Sequence, residues 1–173
     1  MDKILRLFIG VIQIVGGLIL VYAFFNRLAE VGMVSFLTVT LPLLILIGIC
    51  IYAGTHLILN RPIGIALSIF NFALQLFQFS FFGIYWYYFI GPYVSFGYQK
   101  PATSDYNFWI DYEYFTGTSI IYLRDDSESH FLLINLVALI MILALIYLRV
   151  NFKDSIVPLE KNTAGNNISY EKQ

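Results

Sequence analysis

Four long apolar runs leave this chain few ways to fold in water. They are Ile4–Phe25 (ILRLFIGVIQIVGGLILVYAFF), about Met33 to Leu59, about Ile63 to Ile90, and Phe131–Val150 (FLLINLVALIMILALIYLRV). A membrane-crossing helix needs roughly 20 predominantly apolar residues, and each run is long enough. In lipid the backbone must bond to itself, so each run is expected to be helical. The 173 residues are 59% hydrophobic and 12% charged, whereas soluble domains are about 25% charged. A small domain has too much surface to hide that apolar content. The expected fold class is therefore an all-α membrane protein. It is an antiparallel four-transmembrane-helix bundle with helices at about 4–25, 33–59, 63–90 and 131–150 within a single domain, 1–157. The first run exceeds the roughly 7–15-residue core of a cleaved signal and reads as a retained span.

Cation placement orients the bundle. Lys3, Arg6, Arg61, Arg149, Lys153, Lys161 and Lys172 fall on one side, and Arg27, Lys100 and Arg124 on the other. The positive-inside rule then puts both termini in the cytoplasm of a bacterial inner-membrane protein. Pro62 suits a first helical position, while Pro42 is expected to bend the second span from within. Residues 158–173 are polar, lack apolar periodicity and read as a flexible cytoplasmic tail.

Between the third and fourth runs, NFWIDYEYF alternates and is followed by TGTS and IIYLR. This pattern predicts an external β-hairpin at about 106–124. Trp109, Tyr112, Tyr114 and Tyr122 are its candidate contact residues. A hairpin alone is barely stable, so it must lie on helix ends, headgroups or a neighbouring subunit. Ser127 or Ser129 is a candidate cap for the fourth helix.

The third run carries a polar stripe. At helical spacing Asn71, Gln75 and Gln78 share about 60° of circumference, with Ser68 nearby. Unpaired carboxamides in hydrocarbon cost several kcal/mol each, so this face must meet other helices or water. Gln13, flanked by Gly10 and Gly17, and Asn135 are the partners available in other spans. Depth estimates pair Gln13 with Asn71 and Asn135 with Gln78.

Several chemistries lack their residues. No acid lies within a run, although coupled transport normally needs an intramembrane ionisable group. His56 and His130 sit at opposite ends of the bundle, and Cys50 is the single cysteine. Neither a metal cluster nor a disulfide is expected, and no catalytic motif occurs. A net charge of −1 gives no field for nucleic acid. The expectation is a non-enzymatic membrane protein without cofactor. Its partners are the lipid bilayer and either further copies of itself or a membrane or cytoplasmic protein. It would act as an oligomeric, accessory or scaffold subunit. The alternative is a pore or channel, such as a membrane-permeabilising effector, with the stripe lining an oligomeric path. A membrane enzyme using the aromatic outer loop is the third reading.

Overall fold

Helical spacing of apolar residues holds only part-way along two of the four runs. In the computed structural model the residues described are 2–27, 41–81, 84–100, 107–113, 120–123 and 130–154. They form α1 (Asp2–Arg27), α2 (Leu41–Ile58), α3 (Pro62–Leu76), β1 (Phe77–Phe81), β2 (Ile84–Tyr87), β3 (Tyr93–Lys100), β4 (Asn107–Glu113), β5 (Ile120–Leu123), β6 (His130–Asn135) and α4 (Leu136–Asp154). The protein is thus a helix layer joined end-on to an antiparallel sheet, which overturns the all-α four-helix bundle expected from the apolar runs. Two helices, α1 and α2, are long and apolar enough to cross a membrane, and α3 and α4 are shorter apolar helices.

The correction has a local cause. Beyond Leu76 the sequence FQFSF changes from helical period to alternation: Gln78 and Ser80 are buried, while Phe77 is exposed on the other face. A period of two with aromatic residues is strand chemistry. The first residues of the fourth run, HFLLIN, likewise form β6, and the helix begins only at Leu136. Asn135 caps it: its Oδ1 accepts from the main-chain N–H of Val137 at 3.0 Å and of Ala138 at 3.2 Å. A side-chain oxygen reaching the second and third helical N–H groups is the usual N-cap arrangement. Ser127 and Ser129 lie outside the described residues.

The helices pack antiparallel. Gly10 of α1 faces Gly54 and Ile58 of α2, and Gly17 faces Ile51. A Cβ on Gly54 would sit 2.7 Å from the Gly10 carbonyl oxygen, so only glycine allows this crossing. Ile9, Ile12, Leu57, Ile65, Phe72, Ala138, Met141, Leu145 and Leu148 join all four helices in one apolar core. Pro42 falls in the first turn of the described α2, where its missing N–H lacks a helical acceptor in any case. The α2–α3 turn is a Schellman motif: Arg61 N–H donates to His56 O (2.9 Å) and Asn60 N–H to Leu57 O (3.1 Å). Asn60 holds the left-handed position at φ 58°, which asparagine tolerates better than most residues. Pro62 then opens α3.

The six strands run in the order β4-β3-β6-β1-β2-β5, every neighbouring pair antiparallel. β4 and β5 do not form the hairpin expected at 106–124. β4 pairs with β3 and β5 with β2, at opposite edges of the sheet. The sheet is strongly curled. Tyr87 of β2 donates its hydroxyl to Asp111 of β4 at 2.9 Å, although β1, β6 and β3 lie between those strands. In a flat sheet the two would be about 19 Å apart, out of reach for both side chains. The concave face is filled by aromatic rings: Phe89 stacks on Tyr93 at 4.4 Å, and Tyr87 lies 5.9 Å from Tyr93.

Candidate functional site

The stripe on α3 runs unbroken into β1 and organises the interior. Gln13, Ser68, Asn71, Gln75, Gln78 and Asn135 are all buried, none more than 2% exposed. At the helix level, Ser68 donates to Gln13 Oε1 at 2.9 Å. The Cys50 thiol donates to the Gln13 carbonyl at 3.3 Å and accepts from Asn71 Nδ2 at 3.3 Å. Gln13 and Asn71 therefore belong to one network but meet through Cys50 at the Gln13 main chain, while the side chain of Gln13 bonds Ser68. Asn135, expected to pair with Gln78, turns its oxygen to the start of α4.

The partners of the stripe come from the segment after β2. Tyr88 donates its hydroxyl to Asn71 Oδ1 at 2.8 Å. The main-chain N–H of Ile90 donates to Gln75 Oε1 at 2.9 Å. The Tyr93 hydroxyl donates to Gln78 Oε1 and pairs with Ser95 Oγ. Three carboxamides thus hold three successive points of the return between β2 and β3, at Tyr88, Ile90 and the first residue of β3, Tyr93. Tyr88, Phe89 and Ile90 are buried there, Tyr88 and Ile90 beside Leu20, Ile47 and Cys50. Gly16 of α1 and Gly91 at φ 92° let the return lie against the helix layer. Irregular backbone among apolar helices is tolerated only where protein groups satisfy its polar atoms, and the stripe supplies those groups.

The track ends in the curled sheet. Tyr87 joins it to Asp111, an acidic residue of the concave face. Burial pushes the Tyr87 phenol well above its ordinary value, helped by neighbouring Tyr93 and by the bond to Asp111. Burial also pushes Tyr93 up to about 12, against the lowering effect of its bonds. A phenol raised in the folded state favours folding fully below its unfolded value near 10 and loses that contribution as pH rises through the folded value. Stability is therefore expected to be level up to about pH 10 and to fall between pH 10 and 12. Tyr93→Phe should flatten that fall in circular dichroism followed against pH. An unchanged alkaline transition in Tyr93→Phe would remove Tyr93 from this account.

The nitrogens Gln13 Nε2, Gln75 Nε2 and Gln78 Nε2 have no partner among the described residues. No group of three or more His, Cys, Asp or Glu among the described residues could hold a metal. The track is hydrogen-bonding chemistry, with neither a nucleophile–base pair nor a ligand set.

The outer candidates separate. Trp109 and Tyr112 lie on opposite faces of β4. Tyr112 is on the convex face with exposed Tyr98, Phe108 and Ile110, and Trp109 is opposite Gly97. Tyr114 lies outside the described residues, as does the side chain of Tyr122 in β5. Sequence reasoning missed Cys50, Tyr87, Tyr88, Tyr93, Ser95 and Asp111 as members of the track. The Gly91-Pro92 break after an aromatic run was the available signal for the return. The chain matches no family model, no curated protein and no solved structure.

Proposed function

We propose that this is a non-catalytic membrane subunit that works by assembly, as a scaffold or accessory partner. One observation carries the reading. The stripe is turned into its own protomer and bonded there, while α1 turns an apolar face outward. On α1 the exposed residues Ile4, Leu7, Phe8, Val11, Val15, Leu18, Tyr22 and Phe25 form one continuous stripe, opposite the buried glycines and Gln13. A polar interior with an apolar exterior is what a lipid-facing helix requires. α1 and α2 would cross a bacterial inner membrane. The end carrying Lys3, Arg6, Arg61 and Arg149 would face the cytoplasm, by the cation rule. The convex sheet face around Tyr98, Phe108 and Ile110 would then be the contact surface for another copy or another membrane protein.

The alternative pore, with Asn71, Gln75 and Gln78 facing an axis shared between copies, requires those side chains at the protomer surface. Each is at most 2% exposed. Reconstituted into liposomes, the protein is expected to pass neither ions nor small dyes. In detergent, Phe108→Lys with Ile110→Lys should lower its assembled mass without lowering its melting temperature. Wild-type flux abolished by Gln75→Leu in a folded protein would replace the scaffold reading with the pore.

A further inference from the structure

We infer that the end of the α1–α2 pair carrying both Lys3 and Asn60 binds a phosphate-bearing anion, supplied in the membrane by the headgroup of an anionic lipid. The inference rests on the membrane reading above. Lys3, Arg6 and Leu7 stand at i, i+3 and i+4, on one face of the first two turns of α1. Across from them, Ile58 and Asn60 close the end of α2. Together these five residues line a cavity of about 290 Å³. Three of the five lining residues carry hydrogen-bond donors of different shape: an ammonium, a guanidinium and a carboxamide. A guanidinium fork matches two phosphate oxygens, and the ammonium adds a compact charge. The carboxamide is not on a loose loop. Asn60 is fixed at φ 58° by the turn bonds Asn60 N–H to Leu57 O and Arg61 N–H to His56 O.

Two further features select a lipid over free phosphate. Leu7 and Ile58 give the cavity an apolar wall, and they are 51% and 38% exposed. Leu7 also belongs to the exposed apolar stripe of α1, so a headgroup in the cavity would have its chains on the lipid-facing side. Among the described residues, two cations and no acid line the cavity. Arg61 lies at the same turn with its guanidinium 3.4 Å from His56 Nε2, and Asp2 in the first turn of α1 is not part of the lining. Basic pockets between helices at the cytoplasmic boundary have the chemistry to hold anionic headgroups.

The experiment uses the full chain reconstituted in mixed phosphatidylcholine and phosphatidylglycerol vesicles. The vesicles are floated, the protein is extracted, and lipids retained per protein are counted by native mass spectrometry. Phosphatidylglycerol is expected to be retained selectively. Lys3→Gln with Arg6→Gln should reduce that retention about thirtyfold, from about 1 kcal/mol per cation near the surface. Asn60→Gly keeps the left-handed turn and should reduce it about tenfold with an unchanged melting temperature. Arg149→Gln removes an exposed cation at the same end but outside the cavity, and should change nothing. Equal loss with Arg149→Gln, or full retention in the double variant, overturns the site. Displacement of the lipid by added inorganic phosphate overturns the lipid as its source. Failure of the protein to float with vesicles at all is a separate result. It removes the membrane reading, and the lipid site with it, before any lipid is counted.

Discussion

Gly97→Ala is expected to destroy the sheet. Gly97 sits in β3 opposite Leu133 of β6, at the junction of two central strands. A Cβ built there would lie 2.0 Å from the carbonyl oxygen of Leu132 and 2.9 Å from the Leu133 Cα. Both are backbone atoms in paired strands, so neither can rotate away. Relief requires β3 to separate from β6, which also draws β4 away, because among the described strands β4 is laddered to β3. A substitution that forces such a backbone clash belongs to the rare class that destabilises by more than about 4 kcal/mol. The matched control is Gly48→Ala in α2, where an added Cβ meets nothing within 4 Å. There the gain in helix propensity should stabilise by about 0.5–1 kcal/mol. Thermal unfolding in detergent, followed by circular dichroism, compares the two. A Gly97→Ala protein that melts like wild type would mean that β3 and β6 are not paired in this register.

Why the sheet was hidden in the sequence follows from particular residues. The first two helices were legible because their apolar runs are long and their breaks are marked, with Asn60-Arg61-Pro62 supplying a left-handed cap and a helix start. The third run kept its hydropathy past Leu76 while changing its period. Phe77, Gln78, Phe79 and Ser80 alternate between exposed or partly buried aromatics and fully buried polar groups. A window that sums hydropathy sees only more apolar sequence, whereas a window that scores period two against period 3.6 would have registered the change. β6 offered no such help. Its inward Phe131 and Leu133 and its outward Leu132 are all apolar, so no polar alternation marks the strand. A short apolar run of that kind cannot be told from a buried helix turn by pattern alone.

The strand at 107–113 was readable from its alternation, but its partner was not. NFWIDYEYF and IIYLR are close in sequence and separated by turn-forming residues, so local pairing was the natural expectation. The sheet instead places them at opposite edges and joins its concave face through Tyr87 and Asp111. That is a long-range choice, and nothing in either segment encodes it. The polar stripe was legible as a set of residues and as an inward-facing surface. Its partners were not, since they belong to a return of the chain whose residues look like an interfacial aromatic cluster.

The bond between Asn71 and Tyr88 tests whether the stripe exists to hold that return. Tyr88 is fully buried, and its hydroxyl donates to Asn71 Oδ1 at 2.8 Å. Tyr88→Phe leaves a buried carboxamide oxygen without this donor. Asn71→Leu, close in volume, leaves a buried hydroxyl without its acceptor and also removes the bond to Cys50. Each single change is expected to destabilise by about 1–3 kcal/mol, the penalty for one unpaired buried polar group. The double variant removes both polar partners together, so it should be less damaged than the sum of the singles by about 1–2 kcal/mol. The effect should also be local before it is global. Gln75 Oε1 still holds the Ile90 N–H in either variant, so hydrogen exchange at Ile90 should quicken only after Gln75→Leu. Strictly additive stabilities, together with an Ile90 amide indifferent to Gln75, would mean that the return is held by its aromatic packing alone. The carboxamides would then have to be explained by something outside the protomer, which is what the scaffold reading denies.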